Sequence, residues 1–123
     1  MILIVDDDPN FLEHAHSTLG RHERVYFASN ADHAMMLLGY IGADLGIALV
    51  DLDLPGTSGF DLIEKMRHFD SKLPVIAVSG VVSEAVLESA KEFGARETLR
   101  KPISGEWKPA IDRIRRHRPA AGA

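Results

Sequence analysis

No cysteine occurs among the 123 residues. Disulfides, thiolate zinc sites and cysteine nucleophiles are thereby excluded, and a reducing compartment suits the chain. Long apolar runs are missing as well, since no uninterrupted stretch approaches the ~18 residues of a membrane helix. The opening Met1–Val5 is apolar but runs directly into Asp6, Asp7 and Asp8, without the basic flank of a secretory signal. The expected location is therefore the cytoplasm, with no membrane partner. Cations are in deficit: 14 Lys and Arg stand against 18 Asp and Glu, a net charge of −4. That balance does not suggest a nucleic-acid binder as a whole. The segment holding Arg113, Arg115, Arg116 and Arg118 reads as a solvated face or the start of a linker rather than a DNA contact.

What is present is an ordinary globular mixture, 46% hydrophobic and 26% charged. The length predicts one domain with a core of its own. We expect it over residues 1–118, followed by a short tail, 119–123. Four near-continuous apolar runs stand out: Ile2–Val5, Val25–Ala28, Ile47–Val50 and Val75–Val78. Short runs without polar alternation suit strands buried on both faces, as in a parallel sheet. A weaker fifth run lies at Glu97–Arg100.

Helical signals alternate with these runs. Asp8-Pro9 supplies an N-cap and a proline at the first helical position, and Phe11, Leu12, Ala15 and Leu19 share one face before Gly20. Asn30, Ser58 and Ser83 are caps for three further helices. Their inward stripes are Ala31, Ala34, Met35, Leu38 and Ile41; then Phe60, Ile63 and Met66; then Val82, Val86, Ala90 and Phe93, with Gly94 as a C-terminal stop. A last helix uses Trp107, Ala110, Ile111 and Ile114, with Pro109 in its first turn and Trp107 at the edge of the core. Strand and helix alternate five times, which predicts an α/β fold with a parallel sheet covered on both faces.

In such a sheet ligands bind beyond the carboxyl ends of the strands. Asp6, Asp7 and Asp8 follow the first strand, Asp51 and Asp53 the third, Ser79-Gly80 the fourth, and Lys101-Pro102 the fifth. Clustered carboxylates repel one another and call for a cation. Hard oxygen ligands with room for water suit Mg²⁺. A carboxylate beside such an ion can attack phosphorus, while a hydroxyl and an ammonium receive the phosphoryl oxygens. Taken singly, the same residues have plainer readings. Asp6 and Asp7 are common turn acids, Asp51 precedes a Pro-Gly turn, Ser79 is a loop hydroxyl, and Lys101 is a surface charge. The six histidines (14, 16, 22, 33, 68 and 117) show no spacing that converges on the acidic rim and read as solvated.

Four motifs in order carry a resemblance: Ile4-Val5-Asp6-Asp7-Asp8-Pro9, Leu49-Val50-Asp51-Leu52-Asp53-Leu54-Pro55-Gly56, Val78-Ser79-Gly80 and Lys101-Pro102. Together they are similar to the receiver domain of two-component response regulators, the family of the chemotaxis response regulator. The resemblance covers residues 1 to about 115. It implies a flavodoxin-like, doubly wound (βα)5 fold with five parallel strands in the order 2-1-3-4-5. It implies that Asp51 accepts a phosphoryl group from a sensor histidine kinase or a histidine phosphotransfer protein. Asp7 would then ligate Mg²⁺ directly, Asp6 through water, and Asp53 through its backbone carbonyl. Ser79 matches the switch hydroxyl, Lys101 the phosphate-binding lysine, and Pro102 a cis proline. The signal would pass to a downstream protein or a fused output domain, and a homodimer through the last helices is a further expectation.

Two positions depart from the family pattern. Thr98 stands where an aromatic switch residue is usual, and Ile103 where phenylalanine is common after Lys-Pro. These put signal output through the face of the fourth helix, fifth strand and fifth helix in question, not the phosphorylation chemistry. Asp53 and Val81 match positions that tune phosphoryl lifetime. Thr98 keeps open a degenerate receiver that serves only as a docking module. Asp51-Leu52-Asp53 also superficially matches the aspartate pair of haloacid dehalogenase phosphatases. That family places its pair on the first strand, and Pro55 occupies a position where it wants Thr or Val. An electron-transfer flavodoxin fails on charge, because Asp6, Asp7 and Asp8 would repel a flavin phosphate.

Overall fold

A computed structural model describes residues 1–21, 23–103 and 105–115. His22, His117, Arg116, Arg118 and the expected tail lie outside the described residues. The elements in chain order are β1 (Ile2–Val5), α1 (Pro9–Leu19), β2 (Val25–Ala28), α2 (Ala31–Ile41), a 3₁₀ turn (Gly42–Asp44), β3 (Ile47–Asp51), α3 (Gly59–Phe69), β4 (Val75–Ser79), α4 (Glu84–Phe93), β5 (Glu97–Arg100) and α5 (Trp107–Ile114). All neighbouring strands are parallel, in the order β2-β1-β3-β4-β5. This is the flavodoxin-like arrangement.

The central strands are apolar up to their last residues because both faces are covered, and their alternate residues feed two separate cores. Leu3, Val5, Ala48, Val50, Val75 and Ala77 point to one side, where α2, α3 and α4 pack with Leu38, Leu62, Ile63, Met66, Leu87 and Ala90. Ile2, Ile4, Ile47, Leu49, Ile76 and Val78 point to the other, where α1 and α5 pack with Ala15, Leu19, Trp107, Ala110 and Ile111. The four predicted caps are made. The side chains of Asp8, Asn30, Ser58 and Ser83 accept hydrogen bonds from the backbone N–H groups of Asn10, His33, Asp61 and Val86. Pro109 is the third residue of α5, inside the first turn.

Three sequence-based expectations need correction. The inward stripe of α4 is built on Leu87 rather than Val86: Leu87 is 2% exposed and Val86 41%. Both choices keep helical spacing with Ala90, and the larger side chain takes the core. Strands β3 and β4 each run one residue further than the apolar runs, to Asp51 and Ser79. Polar end residues still join the ladder, Asp51 opposite Val78 and Ser79 opposite Arg100. Trp107 is not at the core's edge but inside it, 1% exposed, with its indole Nε1 donating to the Ile103 carbonyl at 3.1 Å. His14 and His16 are exposed as expected, but their rings lie against Trp107 and Phe27.

Candidate functional site

The carboxyl ends of β1, β3, β4 and β5 converge on one rim. Asp6 follows β1 directly and is fully buried at 0% exposure, whereas Asp7 beside it is exposed. Asp51 ends β3 and is buried. One carboxylate oxygen from each of these three residues lies within 4.8 Å of the others. Lys101, just past β5, places Nζ 2.6 Å from Asp6 Oδ2 and 3.6 Å from Asp51 Oδ2. Asp6 Oδ2 receives no other hydrogen bond among the described residues. The sheet thus gathers side chains nearly a hundred positions apart in sequence.

Local turns aim these groups. Asp6 Oδ1 accepts from the Asp8 N–H at 2.9 Å, and Asp51 Oδ1 from the Asp53 N–H at 3.1 Å. Each bond ties a carboxylate to the backbone two residues on, a turn that Asp forms readily. Ser79, fully buried at the end of β4, donates its hydroxyl to Asp53 Oδ2 at 2.8 Å. Its Oγ in turn accepts from the N–H groups of Val81 and Val82, each at 3.2 Å. The peptide bond between Lys101 and Pro102 is cis.

Three carboxylates face one ammonium, so the cluster carries an excess of negative charge. Burial pushes the Asp51 carboxyl up to about 6. The neighbouring Asp6 and Asp53 charges add to that rise, while the Asp53 N–H and Lys101 oppose it. For Lys101, burial works against the charged form, but its hydrogen bond and charge attraction to Asp6, with Asp51 behind, raise it overall. An oxygen-only donor set, one wall of it open at Asp7, fits a small hard cation that keeps some of its waters.

Three further residues shape the site: Gly80 belongs to a motif quoted above but has no role assigned from sequence, and neither Gly59 nor Phe11 is marked there as part of the site. Gly59 opens α3 where a Cβ would lie 2.2 Å from the Asp51 carbonyl oxygen and 2.6 Å from Leu52 Cα. Only glycine lets the helix start so close to the end of β3. Gly80 brings its backbone against the Lys101 stem, where a Cβ would stand 3.2 Å from Lys101 Cβ. Phe11 lies under the Lys101 ammonium, 4.2 Å from ring centroid to Nζ. A glycine beside a functional strand end is a readable signal, but the aromatic contact crosses from α1 to β5 and has no sequence signature.

Comparison with known proteins agrees with this geometry. A protein-family model described as the response regulator receiver domain matches residues 2–107. The chain belongs to that family. Among curated relatives of the receiver, the response regulator protein PilR of Pseudomonas aeruginosa is 34% identical over 102 residues, covering 82% of this chain and 22% of PilR. The transcriptional regulatory protein AruR of the same organism is 30% identical over 130 residues, covering 98% of this chain and 53% of AruR. The receiver therefore corresponds to a part of each. In solved structures, a response regulator receiver domain protein from Clostridium thermocellum superposes with a TM-score of 0.85 at 23% identity, covering 92% of this chain and 91% of that one. A CheY-like receiver domain protein from Methanospirillum hungatei JF-1 gives 0.79 at 26% identity, covering 92% and 94%. Thr98, the departure from the family pattern, pairs with Ala77 and so shares the face of the sheet that α4 covers. No helix among the described residues is long and apolar enough to cross a membrane.

Proposed function

We propose that this receiver accepts a phosphoryl group on Asp51 in a Mg²⁺-dependent reaction, from a sensor histidine kinase or a histidine phosphotransfer protein, and passes the signal to a downstream protein or output domain. The observation that carries the reading is the convergence of Asp6, Asp7, Asp51 and Lys101 at one strand-end rim. Asp7 and Asp51 would hold the ion directly, Asp6 through water, and the Asp53 carbonyl would complete the protein's share. When bound, the ion supplies positive charge that draws the incoming phosphoryl group and offsets the charge of the three carboxylates.

One oxygen of the Asp51 carboxylate attacks phosphorus. The new O–P bond forms as the P–N bond to the donor histidine breaks, and the departing imidazole nitrogen takes up a proton. Lys101 meets a phosphoryl oxygen with its ammonium, and Ser79 turns its hydroxyl toward another. A nucleophile titrating near 6 is mostly ionised at neutral pH, so the raised value does not block the attack.

Incubation with Mg²⁺ and a small phosphoramidate or acyl phosphate tests the reading. The expected result is one phosphate per chain, absent without Mg²⁺ and absent in Asp51→Asn. No gain of mass, with partner binding indifferent to Asp51→Ala, would instead support the docking-module reading.

A further inference from the structure

Lysine is a flexible point charge on a four-carbon stem, and fixing it costs rotamer entropy. Asp6 and Asp51 attract Lys101, but both are expected to share their charge with a bound dication. An anchor that does not compete with the metal would keep the ammonium in place, and one is present on α1. The Lys101 Nζ stands over the Phe11 ring at 4.2 Å from its centroid. Phe11 is braced from behind by Trp107, with ring centroids 5.1 Å apart and planes inclined at 31°. Trp107 is buried, and its Nε1 donates to the carbonyl of Ile103, two residues beyond Lys101. The contacts close a circuit from Lys101 through Phe11 and Trp107 back to the Lys101-Pro102-Ile103 turn. The Gly80 backbone also lies close to the stem, where a Cβ would stand 3.2 Å from Lys101 Cβ.

We propose that Phe11 is a positioning residue for Lys101: its ring face, held by Trp107, keeps the ammonium aimed at the carboxylate cluster while a cation and a phosphoryl group arrive. The attraction is that of a cation to the negative face of an aromatic ring, strengthened by partial exclusion of water. It works in the phosphorylation reaction proposed above and therefore rests on that reading.

The test compares wild type with Phe11→Tyr, Phe11→Leu and Phe11→Met, all with the full chain. Two readouts are taken: the rate of Mg²⁺-dependent phosphorylation by phosphoramidate, and the proton chemical shifts of the Lys101 ε-methylene. The expected result is an upfield ring-current shift of those protons in wild type and Phe11→Tyr, lost in the Leu and Met variants. Phosphorylation should slow between about two- and thirty-fold in Leu and Met and return with Tyr, the range a cation–π contact spans. Leu and Met both keep apolar bulk against Trp107, so a rate loss common to both, rescued by Tyr and found with thermal midpoints unchanged from wild type, does not come from lost packing. Unshifted Lys101 protons in wild type, equal rates in all four proteins, or a Tyr variant as slow as Leu would each overturn the proposal. A wild type that shows the ring-current shift but takes up no phosphate would defeat the phosphoacceptor reading, and the positioning role with it.

Discussion

Ser79 donates its hydroxyl hydrogen to Asp53 Oδ2 at 2.8 Å, although the two residues are 26 positions apart. A hydroxyl has one hydrogen to give, so it cannot serve Asp53 and a phosphoryl oxygen on Asp51 at once. The same Oγ accepts from Val81 and Val82, in the middle of the β4–α4 connection. Moving it pulls directly on that loop. On the proposed function the Ser79–Asp53 bond would be a latch on the unphosphorylated state, and breaking it would be part of the cost of switching. A hydrogen bond to an ionised carboxylate is worth about 1.5–3 kcal/mol, less here because Asp53 is solvent-facing. Asp53→Ala keeps the backbone carbonyl and removes the latch. It should tighten beryllofluoride binding in the presence of Mg²⁺ by roughly three- to tenfold, corresponding to about 1 kcal/mol. In a Ser79→Ala background the same change should have no effect, and titration of the four proteins gives the coupling directly.

Asp51 makes a pH-dependent prediction whose sign is unusual for a carboxylate near a lysine. Its folded pKa, about 6, lies above the ordinary 3.8, chiefly because burial disfavours the charge. The fold therefore binds this proton more tightly than the unfolded chain does, and stability falls as pH rises through that window. The penalty is complete above about 6 and absent below 3.8. Asp51→Asn removes it. At pH 8 without Mg²⁺ the variant should be more stable than wild type, by an amount on the order of a few kcal/mol. Near pH 4 the difference should vanish. Urea unfolding at the two pH values checks both the size and the direction.

The five strands and five helices were legible because each rests on a local pattern: apolar runs for doubly covered strands, Asp8, Asn30, Ser58 and Ser83 for helix starts. The rim was legible because the fold class puts chemistry at strand ends, where Asp6, Asp51, Ser79 and Lys101 follow their strands in the sequence. What was not legible depends on three-dimensional neighbours. Val86 and Leu87 both satisfy helical spacing with Ala90, and only packing decides that Leu87 goes inside. Phe11 reads as one more core residue until β5 brings Lys101 over its ring. The side chain of Asp53 had no assigned partner, because its bond to Ser79 spans two strand ends.

Gly59 lies outside the reacting groups yet sets their geometry. A Cβ there would meet the Asp51 carbonyl oxygen and Leu52 Cα, both backbone, at 2.2 and 2.6 Å. Backbone cannot rotate away as a side chain can, so α3 or the end of β3 must shift. Alanine gains up to about 1 kcal/mol in helix propensity over glycine. Overpacking of this kind costs about 1–3 kcal/mol. Gly59→Ala should therefore lower stability despite the better helix former, and should slow phosphorylation of Asp51 as well. Gly39, where an added Cβ meets nothing within 4 Å, is the control. Gly39→Ala should be neutral or stabilising, and thermal melts of the two variants separate the effects.

The acidic cluster also predicts how the fold responds to cations. Carboxylate oxygens of Asp6, Asp7 and Asp51 lie within 4.8 Å of each other, with Lys101 the ammonium among them. Their mutual repulsion is part of the native state and is absent when the chain unfolds. A divalent ion that binds there stabilises the native state by RT ln(1 + [L]/Kd), about 2.7 kcal/mol at a hundredfold excess over Kd. Monovalent salt at equal ionic strength only screens, and acts weakly on buried groups. Mg²⁺ should therefore raise the thermal midpoint by several degrees where NaCl does not. Asp7 is the exposed member of the trio, so Asp7→Ala should cost little stability in metal-free buffer and even relieve repulsion. The same substitution should abolish most of the Mg²⁺-induced shift. A shift that survives Asp7→Ala, or one that NaCl reproduces, would mean that the ion acts elsewhere on the surface and that the three carboxylates do not hold it together.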